Sequence, residues 1–325
     1  MLVLSAEEQR KLVDMNEMIE CAAVALKEFS TGRTVTPIRA ALPFGDGQNT
    51  SLVMPSAAEE LKSIGVKIVN VAPHNQTLGK KTINGLVILS DFKTGEPISL
   101  LEGSYVTMMR TGALSGVATK YLSRQDSKRL CMIGTGEQAK GLVEAVLAVR
   151  DIEDIALYNR TEQKAKQFAD YIRKKWNTRV QVYSDANEAV RGADIIVTAT
   201  NSSAPVFTEP LQPGVHVNAV GSFRPAMQEL PSHVMSQADS VVVESREAAL
   251  EETGDLLVPI REGVFKPNDI HAELGQIVNG VHKGRVVDQD ITVFKSVGLA
   301  VVDIAAAGYL YKKAIEQQAG TRIQL

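Results

Sequence analysis

The sequence predicts an α/β fold: a doubly wound parallel sheet, with a second, α+β region on its N-terminal side. Three observations carry this reading. From residue 129 onward, short apolar runs alternate with helical segments, the pattern of parallel strands covered by helices on both faces. Gly134-Thr135-Gly136-Glu137-Gln138-Ala139 follows the first of those runs and opens a helix. Over residues 34–101, by contrast, apolar runs are separated by Pro, Gly and Asn, as in antiparallel strands joined by turns. A chain of 325 residues has room for two domains of ~100–200 residues each.

Taken in order, Ser5-x-x-Glu8 and Asp14-x-x-Glu17 both have the spacing of a capping box, in which the first side chain serves a free N–H and the acid reaches back. The second opens a helix over residues 15–30, with Met18, Ile19, Ala22, Ala25, Leu26 and Phe29 on one face and Gly32 ending it. Strands are expected within residues 51–54, 65–71 and 85–89, and Thr94-Gly95-Glu96-Pro97 is a turn. Residues 104–122 read as a helix whose Gly112, Ala113, Ser115 and Gly116 let a neighbouring backbone approach closely. Strands at 129–133, 155–158, 180–183, 194–200, 216–220 and 240–243 then alternate with helices at 138–149, 162–175 and 186–191. A last helix, from 296 to about 318, has no strand partner and is assigned to the N-terminal region.

Composition excludes several functions. The net charge is −3, from 35 basic and 38 acidic residues, which leaves no electrostatic footprint for nucleic acid or an anionic membrane. Aromatic residues make up 5%, too few for a base-stacking surface. Cys21 and Cys131 cannot build a disulfide framework, and the histidines (His74, His216, His233, His271, His282) lack metal-ligand spacing. The N-terminus lacks a basic stretch followed by an apolar one. The most apolar long segment, 296–310, is short for a bilayer and is interrupted by Asp303, since a span needs ~20 residues. The expectation is a cytoplasmic protein without metal, nucleic-acid or membrane partner. Asp303 itself is expected to make structural hydrogen bonds, because a buried carboxylate needs partners.

Gly134-Thr135-Gly136-Glu137-Gln138-Ala139 fits G-x-G-x-x-A in the strand–turn–helix setting of a Rossmann dinucleotide site. Gly134 allows the tight turn. Gly136 lets a pyrophosphate approach the helix N-terminus, and Ala139 permits close helix–strand packing. The next strand ends Tyr158-Asn159-Arg160-Thr161. No carboxylate stands there to bind the ribose 2′-hydroxyl of NAD(H), whereas Arg160, with Asn159 and Thr161 as donors, suits a 2′-phosphate. NADP(H) is favoured, with NAD(H) the other possibility.

The chain resembles the ornithine cyclodeaminase/mu-crystallin family. The residues that carry the resemblance are Thr36-Pro37-Ile38-Arg39, Gly65-Val66-Lys67, Met109-Arg110-Thr111-Gly112-Ala113, the glycine turn, Asn218-Ala219-Val220-Gly221 and Phe294-Lys295-Ser296-Val297-Gly298-Leu299-Ala300. The resemblance implies a Rossmann domain of residues 123–295 inserted into a substrate-binding, dimer-forming domain of residues 1–122 and 296–325. It implies a homodimer, and a pocket at the domain interface where an amino-acid-like substrate meets the nicotinamide. By motif, Arg39 and Arg110 would bind the substrate carboxylate and Lys67 would sit beside the reacting nitrogen. Thr82, Thr111, Thr200, Ser222 and Ser296 match positions near the cofactor. A guanidinium pairs bidentately with a carboxylate, and a lysine desolvated between arginines can exchange protons near neutrality.

One position departs from the cyclodeaminase pattern. That pattern carries an Asp two residues after the glycine of Asn-Ala-Val-Gly, where this chain has Phe223. Without the carboxylate, the obvious base for oxidising a Cα–N bond is gone. Reducing a preformed imine needs only a hydride at carbon and a proton at nitrogen. The loop is more similar to the ketimine-reductase, mu-crystallin branch, and Phe223 would form an apolar wall beside the nicotinamide. The leading expectation is NAD(P)H-dependent reduction of Δ1-pyrroline-2-carboxylate, or of Δ1-piperideine-2-carboxylate, to proline or pipecolate. The alternatives are ornithine cyclodeamination with catalytic NAD, another amino-acid dehydrogenation of the family, and a non-catalytic role in binding a small molecule.

Overall fold

A computed structural model describes residues 1–324, the side chain of Gln76 aside. The elements begin with β1 (Leu2–Leu4), α1 (Ala6–Leu12), α2 (Met15–Ser30), β2 (Thr34–Val35), β3 (Ala40–Phe44), β4 (Asn49–Ala58), β5 (Ser63–Val71), β6 (Ile83–Ser90), β7 (Pro97–Glu102) and α3 (Gly103–Leu122). There follow β8 (Arg129–Ile133), α4 (Gln138–Val149), β9 (Asp154–Tyr158), α5 (Glu162–Lys175), β10 (Arg179–Val182), α6 (Ala186–Val190), β11 (Ile195–Thr198) and β12 (His216–Ala219). The chain continues through α7 (Ser232–Gln237), β13 (Ser240–Val243), α8 (Arg246–Glu252), α9 (Gly254–Arg261), β14 (Ile270–Glu273), α10 (Leu274–Val278), β15 (Thr292–Lys295), α11 (Ala300–Glu316) and β16 (Thr321–Arg322). It divides into two compact units, Met1–Arg110 with the segment from Leu299 onward, and Thr111–Gly298.

In the first unit the strands order as β16-β1-β7-β6-β5-β4-β2, with β3 on β4. All pairings are antiparallel except β1 with β7. Side chains alternate across such a ladder. Leu52, Met54, Val69, Val87, Leu89 and Leu101 are buried, and α11 packs on that sheet and on α2. The opposite face bears Leu42, Ile64 and Leu86, all exposed. Ser5 and Glu8 complete a capping box on α1. At α2 only half of the expected box forms: Asp14 accepts from Glu17 N–H. The Glu17 carboxylate instead accepts from Tyr309 Oη at 2.7 Å and Lys313 Nζ at 2.9 Å, both on α11. Two stronger donors across the helix pair outcompete the local backbone.

The second unit holds an eight-stranded, wholly parallel sheet in the order β10-β9-β8-β11-β12-β15-β13-β14. Odd and even residues of β8 feed different cores. Leu130 and Met132 join α4 and α5 residues such as Leu142, Val146, Phe168 and Ile172, while Cys131 and Ile133 join Val190, Phe207 and Leu230. The order reverses between β8 and β11, the switch point outside which such sheets bind ligands.

The structure differs from the sequence reading in three further places. The last helix starts at Ala300, not 296, and β15 precedes it. Ser296 Oγ and the N–H groups of Val297 and Gly298 donate to Glu244 Oε1, and Gly298 has φ +92°, a geometry no helix permits. β14 was also not expected, because its four residues alternate His271 and Glu273 with Ile270 and Ala272 and carry little apolar signal. The division between units falls at Arg110/Thr111 and Gly298/Leu299 rather than at 122/123 and 295/296. The later turns of α3 are bound to the second unit. A Cβ on Gly112 would lie 2.3 Å from Gly141 O, and Asn218 Nδ2 donates to Thr119 Oγ1 at 2.9 Å. Among the described residues no helix is long and apolar enough to cross a membrane, and no group of His, Cys, Asp and Glu is placed to hold a metal ion.

Candidate active site

Lys67 stands in the middle of β5. Its partners in register, Met54 on β4 and Val87 on β6, are apolar and buried, so nothing on its own sheet balances its charge. The balance comes from α11. Lys67 Nζ lies 2.7 Å from each oxygen of Asp303, and Arg110 Nε, on α3, lies 2.8 Å from Asp303 Oδ1. Lys67 is 1% exposed and Asp303 0%. Asp303 occupies the first turn of α11, where the helix dipole favours an anion.

The setting pulls the Lys67 ammonium far below the usual lysine value, to about 7. Burial is the largest cause and the Arg110 guanidinium the next. The Asp303 carboxylate opposes both, and Arg39 adds a further positive charge. Arg39, half-buried ahead of β3, is thus within electrostatic reach. Lys67 and Arg110 are thus gathered on the Asp303 carboxylate within the first unit, with Arg39 acting on Lys67. The buried carboxylate of Asp303 has the partners it was expected to need, Lys67, 236 positions away in sequence, and Arg110.

The second unit builds the glycine turn. Gly134 has φ +93°, and a Cβ there would meet Ala199 O at 2.5 Å, so the fold itself demands this glycine. Gly136 is different. Its φ is not in the left-handed region, and a Cβ would meet nothing within 4 Å. Thr135 Oγ1 is buried without a hydrogen-bond partner, and Glu137, the N-cap of α4, supplies no side-chain cap. Open space at Gly136, an unpaired hydroxyl and a helix N-terminus suit a pyrophosphate. Gln138 is half-buried and Ala139 fully buried against the strand core. A dinucleotide fits the residues present.

Around the turn, Asn159 is engaged within the protein, with one of its two amide hydrogens left to donate. Its Oδ1 accepts from Thr135 N–H at 3.2 Å and its Nδ2 donates to Thr161 O at 2.9 Å, which ties the end of β9 to the glycine turn. Arg160 and Thr161 are exposed beside it. The Ser222 hydroxyl donates to Met227 O and pairs with Thr253 Oγ1, both at 2.7 Å. Ser296 is turned to Glu244, and Thr200 Oγ1 accepts from Ser202 N–H. Thr111 is buried in α3 of the second unit, whereas Thr82 precedes β6 in the first, its carbonyl accepting from Ala72 N–H. Phe223 is half-buried with Arg224 over its ring at 5.3 Å.

A model of the ornithine cyclodeaminase/mu-crystallin family matches residues 1–318. The chain belongs to that family. It is 67% identical over 324 residues to a Δ1-pyrroline-2-carboxylate reductase of Bacillus cereus, covering 100% of both sequences. Among solved structures it matches the Δ1-pyrroline-2-carboxylate reductase of Thermococcus litoralis in complex with NADH and L-proline, at 39% identity and TM-score 0.95, covering 99% of this chain and 100% of that one. It also matches an archaeal alanine dehydrogenase dimer with bound NAD, at 33% identity and TM-score 0.92, covering 99% and 98%.

Sequence reasoning missed a second buried polar cluster in this family member. Glu229, Glu244, Asp255 and Lys295 are all 0% exposed. Lys295 Nζ lies 2.9 Å from Asp255 Oδ2, and Asp255 Oδ1 accepts from the N–H groups of Glu229 and Leu230 at 2.6 and 2.9 Å. Burial, the largest cause, pushes the Glu229 and Glu244 carboxyls up, against the pull of Lys295. The partners of Glu229 are mainly backbone N–H groups of loops, which no residue pattern announces.

Proposed function

We infer that the chain reduces cyclic α-imino acids with a reduced nicotinamide: Δ1-pyrroline-2-carboxylate to proline, and its six-membered analogue Δ1-piperideine-2-carboxylate to pipecolate. The observation that carries this reading is a buried lysine with a proton affinity near neutrality beside a guanidinium, Lys67 and Arg110, both held on Asp303. The 67% identity to a reductase of that name supports it. The nicotinamide, when bound, supplies the hydride for the imine carbon. Arg110 and Arg39 hold the substrate carboxylate. Lys67 gives a proton to the ring nitrogen as the C=N electron pair settles there, and it recovers that proton from water. Phe223, in place of a carboxylate, leaves no base for attack of water on the imine, which favours reduction over cyclodeamination.

NADP(H) is the preferred coenzyme, on the strength of exposed Arg160 at the end of β9 and the absence of a carboxylate among residues 159–161. Reduced nicotinamide and the unpaired Cys21 and Cys131 suit a cytoplasmic setting. The chain works as a homodimer. The outer face of its antiparallel sheet carries Leu42 (55% exposed), Phe44 (45%) and Leu86 (47%), an apolar patch that a second copy covers, and the archaeal alanine dehydrogenase is a dimer. Light scattering of the chain with Leu42→Asp and Leu86→Asp together tests this: the double variant runs as a monomer, and an unaltered mass overturns the assignment.

The decisive assay incubates the purified chain with each imine and with NADPH or NADH, following loss of reduced-nicotinamide absorbance and identifying the amino acid formed. L-proline or pipecolate is the expected product. Absence of turnover with both imines overturns the reading.

A further inference from the structure

Asp303 meets two of the three cations assigned to the substrate, yet an anion in an anion-binding site competes with the ligand. Its presence needs a reason. The charged groups that face Lys67 are Asp303 from α11, Arg110 from α3 and Arg39 from the segment before β3; β4 and β6 present Met54 and Val87. Without Asp303, the Lys67 ammonium would be buried beside positive charge alone. A desolvated ammonium in that field gives up its proton, and its flexible stem has nothing to point it. Geometry adds a second effect. Asp303 Oδ1 contacts Arg110 on its Nε side, 2.8 Å away and outside hydrogen-bond alignment, and a substrate carboxylate would pair bidentately with the two terminal nitrogens.

We propose that Asp303 is a positioning residue of the reduction: it keeps Lys67 protonated and aimed in the ligand-free enzyme, and it turns Arg110 so that its outer edge receives the substrate carboxylate. The proposal rests on the imine-reductase reading for its catalytic meaning, but the effect on Lys67 is a property of the protein alone. It is therefore read without substrate.

The test is the titration of Lys67, followed by NMR of lysine-labelled protein with Lys67→Met identifying the signal, in wild type and Asp303→Asn. Loss of the carboxylate lowers the midpoint by about one unit or more. An unchanged midpoint overturns the proposal. If Asp303→Asn does not fold, Asp303→Glu decides. Charge is kept and spacing is lost, so the midpoint stays near wild type while kcat for imine reduction falls about 10-fold; an unaltered kcat overturns the aiming role. Where the imines are turned over, the alkaline limb of kcat/KM in Asp303→Asn moves down with the titration, while KM for NADPH, set by the second unit, stays within about twofold. A wild-type chain inactive on both imines counts against the reductase reading and leaves the titration result standing.

Discussion

Glu229 accepts the Gly221 N–H at 2.7 Å through Oε2, while its Oε1 accepts the Thr200 N–H at 2.6 Å. One carboxylate thus clamps the segments that leave β11 and β12. Ser222 N–H and Thr198 Oγ1 also donate to it, and a Cβ on Gly221 would sit 2.4 Å from Oε1. Replacing Glu229 with Gln sets an NH2 group against N–H donors in either amide orientation. Each donor left unpaired costs about 1–3 kcal/mol. The expected result for Glu229→Gln is a melting temperature lower by several degrees, with KM for NADPH raised about 10-fold. Thermal melts and coenzyme titrations check both.

The position of Lys67 near neutrality gives the reaction a signed pH dependence. Below about 7 the free enzyme carries the ammonium proposed to protonate the imine nitrogen; above it the proton is gone. The kcat/KM for reduction therefore falls as pH rises through about 7, and proline oxidation, which needs the free amine, gains over the same interval. Lys67→Met abolishes both limbs and lowers kcat by about 10²–10⁴-fold, the range for a lost acid–base group. Rate profiles in the two directions are the measurement.

The two glycines of the coenzyme turn make opposite predictions. Gly134→Ala forces a Cβ to within 2.5 Å of Ala199 O at a left-handed φ and lowers stability as well as coenzyme binding. A Cβ added at Gly136 meets nothing of the protein within 4 Å, and Gly136→Val starts from that open space. It leaves the melting temperature of the ligand-free chain unchanged, yet it blocks the pyrophosphate and raises KM for NADPH at least about 10-fold. A melt combined with a coenzyme titration separates the two.

The proposed preference for NADP(H) rests on Arg160. Arg160→Glu places a carboxylate where a ribose 2′-hydroxyl would be bound and a 2′-phosphate repelled. The expected change is a rise of about 100-fold in KM for NADPH with KM for NADH lowered or unchanged, read by steady-state kinetics with each coenzyme. Equal effects on both would remove Arg160 from the 2′-phosphate.

What the sequence made legible was local and periodic. β8 and α4 fall on the expected residues, Arg129–Ile133 and Gln138–Val149, because an apolar run, a glycine turn and a helical face follow each other without interruption. The four-residue β14 offered no such run. Lys67 was visible as a charge inside an apolar stretch, but its counter-ion lies on a helix near the other end of the chain. The same holds for Lys295, which lies in a family motif, and its partner Asp255, which does not. Long-range pairing of single charges leaves no periodic trace, and only the assembled fold reveals it.

Lys67 and Arg110 share the one carboxylate of Asp303, so with Lys67 protonated a positive charge remains uncompensated in a nearly dry setting. The ligand-free protein is in this sense poised for an anion. Its heat resistance should depend on which small anions the buffer contains, beyond what ionic strength alone explains, because screening acts at the surface while a carboxylate that enters the site binds only the folded form. Acetate or proline would raise the melting point where an equal concentration of a bulky anion would not. The medium in which the chain is purified is therefore itself a ligand condition.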